Sequence, residues 1–565
     1  METKPWLNSY PQGVPHEVDV SQYTSLVDLL EESFRKNARS PVSVCMEEWM
    51  TYAQLDELSA AMGAWLQAQG LEPGARVALM MPNVPQFMVG MAAILRAGYT
   101  CVNVNPLYTA RELEHQLKDS VATAIIILEN FASTLEEVIA HTGIRHVVLA
   151  SFGDLLGFWY GRWMTFAVRH LAKMVPAFRL PYEGPQGGIQ VVSFRQALTE
   201  GHGKPLRRAT VGHDSMAFLQ YTGGTTGLSK GAVLTHGNVI AATLQAEAWF
   251  TPALHRISDI RKANCIAALP LYHIFALTLC LLAIRQGSHL TLIPNPRDIP
   301  KFVEVLKKRP FHMLPAVNTL FNALLQNAQF RALDFSHLCV SQAGGMAASE
   351  GTAQQWQKVT GHTMIEGWGM SETCAIGTNN PVNNTEFSGN IGLPLPGIDI
   401  AIKDDEGNSL PQGESGEICI RGPNVTPGYY NQPEENAKAF TPDGFMRTGD
   451  IGIMDAEGYT RIIDRKKDMI LVSGFNVFPN EIENVISTCP GVLECAAVGI
   501  PDEKSGEAVK VFVVRSDPSL EESDVERFCH ENLTGYKRPK YIEFREDLPK
   551  TNVGKILRRE LRSTP

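Results

Sequence analysis

Residues Tyr221 to Gly231 read Tyr-Thr-Gly-Gly-Thr-Thr-Gly-Leu-Ser-Lys-Gly. The four glycines let a backbone wrap closely around an anion, while the three threonines and the amide groups can donate hydrogen bonds to it. Lys230 adds a positive charge at the end of the stretch. This composition predicts a phosphate-binding loop.

The spacing of this loop argues against a P-loop NTPase. A Walker A motif requires Gly-x4-Gly-Lys-Ser/Thr, whereas Lys230 follows Gly227 by three residues and precedes Gly231. A loop rich in Gly, Thr and Ser can also be a plain flexible connection. The rest of the chain therefore has to decide whether a nucleotide binds here by a different chemistry.

Length, charge and cysteine content narrow the class of protein. A chain of 565 residues is too long for one ordinary core, so two or more domains are expected. The net charge of -10 argues against nucleic acid as the main partner, because binding to a phosphate backbone favours a basic surface. The ten cysteines are scattered without a Cys-x-x-Cys pair, which is typical of reduced thiols in a cytosol and argues against zinc.

Hydropathy gives no sign of export or of a membrane span. Met1 to Val14 lacks a basic region followed by an apolar core, so we expect no secretory signal. The apolar run Ile274 to Ile284 is about half of the roughly 20 residues that cross a bilayer. We therefore predict that it forms a buried helix.

The order of apolar patterns predicts an α/β fold. Helical spacing in Ser25 to Ala68 and in Pro85 to Arg96 alternates with strand-like runs at Val77 to Met81 and Ala124 to Leu128. Gly201 to His213 has no periodicity and is predicted to link two lobes. Two further predictions concern a polar turn between strands and a capping box that opens a helix, at Asp404 to Gly416 and at Ser519 with Glu522.

Five further motifs follow the glycine-rich loop. They are Leu269 to Phe275 (LPLYHIF), Glu366 to Thr373 (EGWGMSET), Thr448 to Asp450 (TGD), Asp464 to Asp468 (DRKKD) and Pro549 to Lys555 (PKTNVGK). Each motif alone has a purely structural explanation, such as a core histidine, a turn or a run of solvated charges. Together and in this order they resemble the adenylate-forming enzymes, which include acyl-CoA synthetases, coumarate-CoA ligases, luciferases and peptide-synthetase adenylation domains.

This resemblance implies a domain plan. We expect a large N-terminal domain of α/β lobes with a small β subdomain over residues 1–463. A hinge would follow at residues 464–468, and a small, mobile α+β C-terminal domain over residues 469–565 would carry Lys555.

The resemblance also implies roles for individual residues. The catalytic residues would be Lys555, Glu372 and His273, with Glu372 and Thr222 holding Mg²⁺, Lys467 acting as hinge residue, and Ser473 and Gly474 lining a coenzyme A channel. The implied contacts to ATP and AMP are Thr222, Gly223, Gly224, Thr225, Thr226, Gly227, Lys230, Gly344, Gly345, Glu366, Gly367, Trp368, Gly369, Ser371, Asp450 and Arg465. A single glutamate beside an ATP loop suits Mg²⁺, which binds few carboxylates together with phosphate oxygens. An ionised Asp450 could accept hydrogen bonds from both ribose hydroxyls at once.

The implied reaction has two steps. A carboxylate attacks the α-phosphorus of MgATP, giving an acyl-adenylate and pyrophosphate, and Lys555 neutralises the charge that develops. The C-terminal domain then swings about the hinge, and the thiol of coenzyme A displaces AMP. ATP and coenzyme A are thus the expected cosubstrates and Mg²⁺ the expected cofactor.

The sequence around His273 helps to identify which class of carboxylic acid is the substrate. An amino-acid substrate would need a buried acid to pair its ammonium group, and Ala267 to Ala283 contains neither Asp nor Glu. Asn105 to Thr109, Asn295 to Pro300 and Asp443 to Asp468 resemble bacterial long-chain fatty acyl-CoA synthetases, which implies a medium- or long-chain fatty acid.

Two residues depart from this pattern. That group's signature usually has Trp where this chain has Phe445, and many relatives have Tyr where it has Trp368. Since Trp368 lies where the adenine and acyl sites would meet, chain-length preference stays open. So do three rival functions: an aryl or cinnamate CoA ligase, a catalytically silent fatty-acid-binding or uptake protein, and an adenylating oxygenase of the luciferase type.

Phe152 to Arg179 interleaves aromatic and basic residues. Such a segment could lie on the inner membrane surface, where a fatty substrate dissolves, or pack on the domain as an ordinary amphipathic helix. We expect a cytoplasmic protein, with both peripheral membrane contact and a homodimer left open by the sequence.

Overall fold

The computed structural model describes residues 4–180, 188–222, 229–473, 475–502, 505–551 and 555–562. Its strands are β1 Pro41–Cys45, β2 Glu48–Thr51, β3 Arg76–Met80, β4 Thr100–Asn103, β5 Ala124–Leu128, β6 His146–Ala150, β7 Gln190–Ser193, β8 Met216–Tyr221, β9 Gly231–Thr235, β10 Asn264–Ala267, β11 His289–Leu292, β12 Met313–Ala316, β13 Val340–Ala343, β14 Met364–Trp368, β15 Thr378–Asn379, β16 Leu393–Pro394, β17 Asp399–Lys403, β18 Gly416–Arg421, β19 Met446–Met454, β20 Thr460–Arg465, β21 Ile470–Val472, β22 Phe475–Val477, β23 Val492–Asp502, β24 Gly506–Arg515 and β25 Tyr541–Arg545.

The α-helices are α1 Leu26–Lys36, α2 Tyr52–Ala68, α3 Pro85–Arg96, α4 Ala110–Asp119, α5 Ala132–Val138, α6 Phe158–Phe166, α7 Phe194–Gly201, α8 His236–Leu254, α9 Ile274–Gln286, α10 Ile299–Lys307, α11 Asn318–Gln326, α12 Ala328–Arg331, α13 Glu350–Thr360, α14 Pro433–Ala439, α15 Pro479–Ile486, α16 Glu522–Asn532 and α17 Arg558–Arg562. Short 3₁₀ turns cover Pro5–Ser9, Val20–Gln22, Glu129–Phe131, Ile139–His141, Ile260–Lys262, Ser371–Thr373 and Gly535–Lys537, and a π-helical turn covers Ala167–Leu171.

Two large sheets form the N-terminal part. The first has the order β7-β6-β5-β3-β4-β8-β9 and is parallel except for the β8–β9 hairpin. The second has the order β16-β15-β14-β13-β12-β10-β11-β1-β2, with antiparallel pairs at both ends. Strands such as β5 are buried along their whole length, as expected where helices cover both faces of a parallel sheet. The predicted α/β class is confirmed.

Two predicted helices are confirmed, α3 and α9. Every residue of α3 is buried, and Pro85 occupies its first turn, where the missing N–H costs nothing. The predicted buried run is α9, which begins after His273 and ends at Gly287 in a left-handed conformation (φ +74°). A Cβ at Gly287 would lie 2.5 Å from the Asn37 amide oxygen, so both the turn and the close approach require glycine there. No helix in the described ranges is long and apolar enough to cross a lipid bilayer.

Two smaller sheets complete the chain. The antiparallel sheet β17-β18-β19-β20 contains the predicted polar turn, which connects β17 to β18. Beyond it, β22-β21-β24-β23 with β25 packs against α15 and α16 around its own apolar cluster, which includes Ile470, Val477, Ile482 and Val511. This is the small α+β unit expected after residue 468, although the exact domain limits stay a prediction.

Two local predictions were wrong. Gly201 to His213 does not link two lobes, because the elements on either side of it, β7–α7 and β8, belong to the same sheet; an aperiodic sequence indicates a loop but not what the loop connects. The capping box of α16 is formed by Glu521 and Asp524 rather than by Ser519 and Glu522. The hydroxyl of Ser519 donates instead to Asp517 at 2.7 Å, within the turn before the helix.

A buried carboxylate joins the two sides of the predicted hinge. Asp464, at the end of β20, accepts hydrogen bonds from the backbone N–H groups of Arg465 (2.6 Å) and Asn480 (2.8 Å). Asn480 lies in the first turn of α15, where the N-cap residue Phe478 has no side-chain acceptor to offer. Asp464 therefore caps a helix that begins beyond the hinge. Burial raises the pKa of its carboxyl to about 6.

Candidate active site

A cavity of about 2660 Å³ opens where the two large sheets, the small β sheet and the C-terminal segment meet. Most of the predicted site residues that the structure describes line it. They are Thr222, Lys230, His273, Gly344, Gly345, Glu366, Gly367, Trp368, Gly369, Ser371, Glu372, Asp450, Arg465, Lys467 and Lys555. Residues separated by more than 300 positions in sequence thus share one cavity.

The remaining predicted residues do not appear in this lining, for two different reasons. Gly223, Gly224, Thr225, Thr226 and Gly227 lie outside the described residues, as does Gly474 of the predicted coenzyme A channel. Ser473 is described, has a left-handed backbone (φ +50°), and lies outside the lining of this cavity.

The two ends of the predicted phosphate loop are joined through the β8–β9 pair. The N–H of Thr222 donates to the carbonyl of Lys230 at 2.9 Å. Lys230 forms an ion pair with Glu435, and its ammonium lies 5.5 Å from the centre of the Tyr429 ring. The loop therefore joins two antiparallel strands, whereas a P-loop leads from a strand into a helix.

The Glu366–Thr373 motif runs off the end of β14 into a tight turn. A Cβ at Gly369 would lie 2.3 Å from the Ala375 carbonyl, so only glycine allows this approach. Cys374 and Ala375 both have positive φ angles, +53° and +64°. Such conformations cost energy in non-glycine residues and persist only where surrounding contacts impose them.

Two polar side chains hold this turn. The hydroxyl of Thr278, on α9, donates to the carbonyl of Cys374 at 2.9 Å. The amide of Asn424 donates to the carbonyls of Thr373 (2.8 Å) and Ile376 (2.6 Å). The backbone that carries Ser371 and Glu372 is thereby fixed to the protein on both sides.

Glu372 is buried and bonded to a residue that the sequence analysis missed. The phenol of Tyr429 donates to Glu372 Oε1 at 2.7 Å. Burial raises the pKa of the Glu372 carboxyl, while the bond from Tyr429 opposes that rise. Tyr429 carries no charge and lies in an irregular segment, so it gives no local signal in the sequence.

The donor set at Glu372 fits a magnesium ion. The Glu372 carboxylate accepts from Tyr429 through one oxygen, and both Glu372 and Thr222 line the same cavity. Mg²⁺ binds one or two protein oxygens and completes its shell with water and substrate phosphate oxygens.

Asp450 is 5% exposed and has a partner on each oxygen. The indole N–H of Trp368 donates to Oδ2 at 2.8 Å, and Arg465 Nε lies 3.1 Å from Oδ1. These contacts join β14 to the pair β19–β20, in which Asp450 and Arg465 stand opposite each other. Phe445, the other departure from the group's signature, is buried outside the cavity lining, with the Arg421 guanidinium 4.3 Å from its ring.

Lys555 reaches this cluster from the C-terminal segment. The pKa of its ammonium is lowered to about 8, chiefly by burial and also by the positive charges of Arg465 and Lys467, while Asp450 and Glu372 oppose the shift. Burial, with a contribution from Lys555, lowers the pKa of His273 to about 4. His273 Nδ1 accepts the N–H of Phe275 at 3.3 Å, so at neutral pH the ring is uncharged and its proton is on Nε2.

Glu366, in the middle of β14, is a further buried carboxyl of the cavity. It accepts the N–H of Ala348 at 2.8 Å, and burial raises the pKa of its carboxyl to about 7. The cavity lining also includes apolar side chains of α8 and α9, namely Phe250, Phe275 and Leu279. The lining thus combines charged groups with apolar ones.

Two parts of the chain match models of known protein families. Residues 30–430 match the model described as AMP-binding enzyme, and residues 481–555 match the AMP-binding enzyme C-terminal domain. A long-chain-fatty-acid--CoA ligase of Escherichia coli O6:H1 is 50% identical over 561 residues, covering 99% of this chain and 98% of its own.

Solved structures agree with the fold. The anthranilate CoA ligase AuaEII in complex with anthranoyl-AMP superposes with a TM-score of 0.82 at 25% identity, covering 97% of this chain and 98% of its own. ATP-bound MatB from Rhodopseudomonas palustris has a TM-score of 0.77 at 28% identity, covering 95% of this chain and 98% of its own.

Proposed function

The chain belongs to the AMP-binding enzyme family, and on that premise we propose that it joins medium- and long-chain fatty acids to coenzyme A through an acyl-adenylate, releasing AMP and pyrophosphate. The observation that carries this proposal is the position of Lys555. It comes from the C-terminal segment, yet it lies in one cavity with Glu372 and Asp450 of the N-terminal part. A cation beside a buried carboxylate pair is suited to a reaction that builds negative charge on a phosphate.

In the first step, an oxygen of the fatty carboxylate bonds to the α-phosphorus of ATP, and the bond to pyrophosphate breaks. Lys555 neutralises charge on the phosphoryl oxygens and the attacking carboxylate, and the Nε2–H of His273 is available as a neutral donor at the acyl end. Asp450 and Arg465 would hold the ribose. Mg²⁺, held by Glu372 and Thr222, would supply further charge neutralisation at the phosphates.

In the second step, the thiol of coenzyme A attacks the acyl carbon and AMP leaves. We propose that rotation at Lys467 removes Lys555 from the cavity and brings Ser473 and Gly474 to it. The present position of Ser473, outside the cavity lining, fits this order of events. The arrangement described above is then the one that serves adenylation.

The function is tested by measuring pyrophosphate release with MgATP and acids from acetate to oleate, plus cinnamate, each with and without coenzyme A. We expect activity to peak on long aliphatic acids, with AMP and thioester formed only when coenzyme A is present. No turnover with any acid would instead identify a silent binding protein.

An aryl CoA ligase is the second candidate, because the anthranilate CoA ligase AuaEII shares this fold over almost the whole chain. The two candidates would differ in the acyl group that the apolar lining residues accept. An optimum on cinnamate in the same panel would assign the protein to the aryl ligases.

The pH profile of adenylation provides a direct prediction. In the free enzyme the pKa of Lys555 is about 8, so the ammonium loses its proton as pH rises through that value. We therefore expect kcat/KM for ATP in pyrophosphate release to fall above pH 8, since this parameter reports groups of the free enzyme. Lys555→Arg should remove the fall, because guanidinium stays charged. A wild-type profile that is flat to about pH 9.5 would contradict the role of Lys555.

We further propose that the protein works on the cytoplasmic face of a membrane and contacts it through an aromatic segment, Phe158 to Met174. Trp159 is 81% exposed and Trp163 is 56% exposed, although tryptophan is usually buried. On the other side of the segment, the guanidinium of Arg169 donates to the buried Glu129 at 2.5 and 2.9 Å and so attaches the segment to the fold. Exposed rings beside basic residues are typical of interfacial helices.

Vesicle sedimentation tests this contact. Trp159→Ala with Trp163→Ala should weaken binding to vesicles of phosphatidylcholine and phosphatidylglycerol by at least about 100-fold, because two large apolar side chains leave the interface. Trp49→Ala is a matched control, because Trp49 is 46% exposed on β2, outside the aromatic segment. Equal binding by the double variant and the wild type would rule out this surface.

A further inference from the structure

Trp368 contacts the residue that would hold the ribose of ATP. Its indole N–H lies 2.8 Å from Asp450 Oδ2, across 82 positions of sequence. Trp368 is 9% exposed and Asp450 is 5% exposed, so water competes little with this bond. A buried bond to a carboxylate is one of the stronger side-chain hydrogen bonds.

The two partners of Asp450 leave room for a ligand. A carboxylate has about four acceptor positions, two on each oxygen. Among the described contacts, Trp368 occupies one position on Oδ2 and Arg465 one on Oδ1, so each oxygen has a second position that a hydroxyl can take. Two adjacent hydroxyl groups, as on a ribose, match that remaining pair.

A glycine keeps the indole in this orientation. A Cβ at Gly377 would lie 2.7 Å from both Cε3 and Cζ3 of the Trp368 ring. Gly377 has no positive φ, so its backbone does not itself require glycine. The close approach of the ring does, because any side chain here would displace the indole.

We propose that Trp368 is a positioning residue that fixes the Asp450 carboxylate for the ribose hydroxyls and thereby sets the selectivity for ATP over deoxy-ATP. The proposal rests on the proposed function, in which Asp450 accepts both hydroxyls. Trp368 then contributes to nucleotide choice through its N–H and not only as an aromatic wall.

The experiment compares pyrophosphate release with ATP, 2′-deoxy-ATP and 3′-deoxy-ATP for the wild type and Trp368→Phe. Phenylalanine keeps an aromatic ring of smaller volume and removes the N–H. We expect kcat/KM for ATP to fall about 10- to 100-fold, and kcat/KM for the deoxy nucleotides to fall much less, so that the selectivity ratio collapses. An equal loss with all three nucleotides would overturn the proposal, because it would mean that Trp368 acts only through the bulk of its ring and not through its N–H.

Two further variants separate the possible failures. Gly377→Ala keeps the N–H but displaces the indole, and it should lower the same ratio even if Trp368→Phe is unstable. In an Asp450→Asn background, Trp368→Phe should cause no further loss of selectivity. If wild-type enzyme turns over but Asp450→Asn leaves the ATP to deoxy-ATP ratio unchanged, Asp450 does not hold the ribose and the inference fails with it. If the wild type is selective and Asp450→Asn removes that selectivity, only the role of Trp368 is in question.

Discussion

Replacing Lys555 with alanine is expected to slow acyl-adenylate formation about 10²- to 10³-fold, the usual effect of removing one group that stabilises a developing charge. Thioester formation from supplied acyl-adenylate should stay within about twofold of the wild-type rate, since in the proposed scheme the lysine leaves the cavity before that step. The reason is the position of the ammonium, beside Asp450, Glu372 and Arg465. The measurement is single-turnover kinetics of each half-reaction.

A matched control is Lys540→Ala. Lys540 belongs to the same C-terminal unit and pairs with Asp502, but it lies outside the lining of the cavity. This variant should leave adenylation unchanged. If Lys555→Ala slowed both half-reactions equally, the two-arrangement scheme would be wrong.

Glu372→Gln should produce the second large effect. The amide keeps the size of the side chain but loses the negative charge, and it faces the Tyr429 phenol across the present 2.7 Å hydrogen bond. We expect kcat/KM for MgATP to fall at least about 100-fold and the Mg²⁺ concentration for half-maximal activity to rise, because the proposed metal ligand loses its negative charge.

Tyr429→Phe is the graded companion to that variant. It leaves the carboxylate but removes the hydrogen bond that orients it, and losses of about 10- to 100-fold are common for such outer contacts. The measurement is the Mg²⁺ activation curve of pyrophosphate release. An unchanged curve in Glu372→Gln would exclude this carboxylate as a metal ligand.

The sequence predicted the elements whose pattern is dictated by local burial. Helix α3 agrees with its predicted limits, and α9 begins at the predicted residue, because long apolar runs without polar faces must be enclosed by the fold. The role of one loop and the start of one helix were predicted wrongly. The segment from Gly201 to His213 and the first turn of α16 depended on tertiary neighbours and on one competing side chain, Asp517.

The candidate site shows the same division. Motifs quoted from the sequence, such as Thr448 to Asp450 and Pro549 to Lys555, supplied predicted site residues through their resemblance to a known family, and most of those that the structure describes line the cavity. Tyr429 and Asn424 were missed, since a hydrogen bond made across more than 45 positions leaves no periodicity or motif. The bond from Trp368 to Asp450 was also invisible, because an indole reads as an apolar ring in sequence.

The carboxylate of Asp464 bears on the order in which substrates are used. If the C-terminal unit swings at the hinge as proposed, the first turn of α15 loses the acceptor for Asn480. A lost helix cap costs about 1 kcal/mol, which corresponds to roughly a fivefold change in population. This contribution would favour the arrangement with Lys555 in the cavity, which is the one proposed for adenylation. In the proposed scheme, coenzyme A would then use an arrangement that the loss of this cap disfavours.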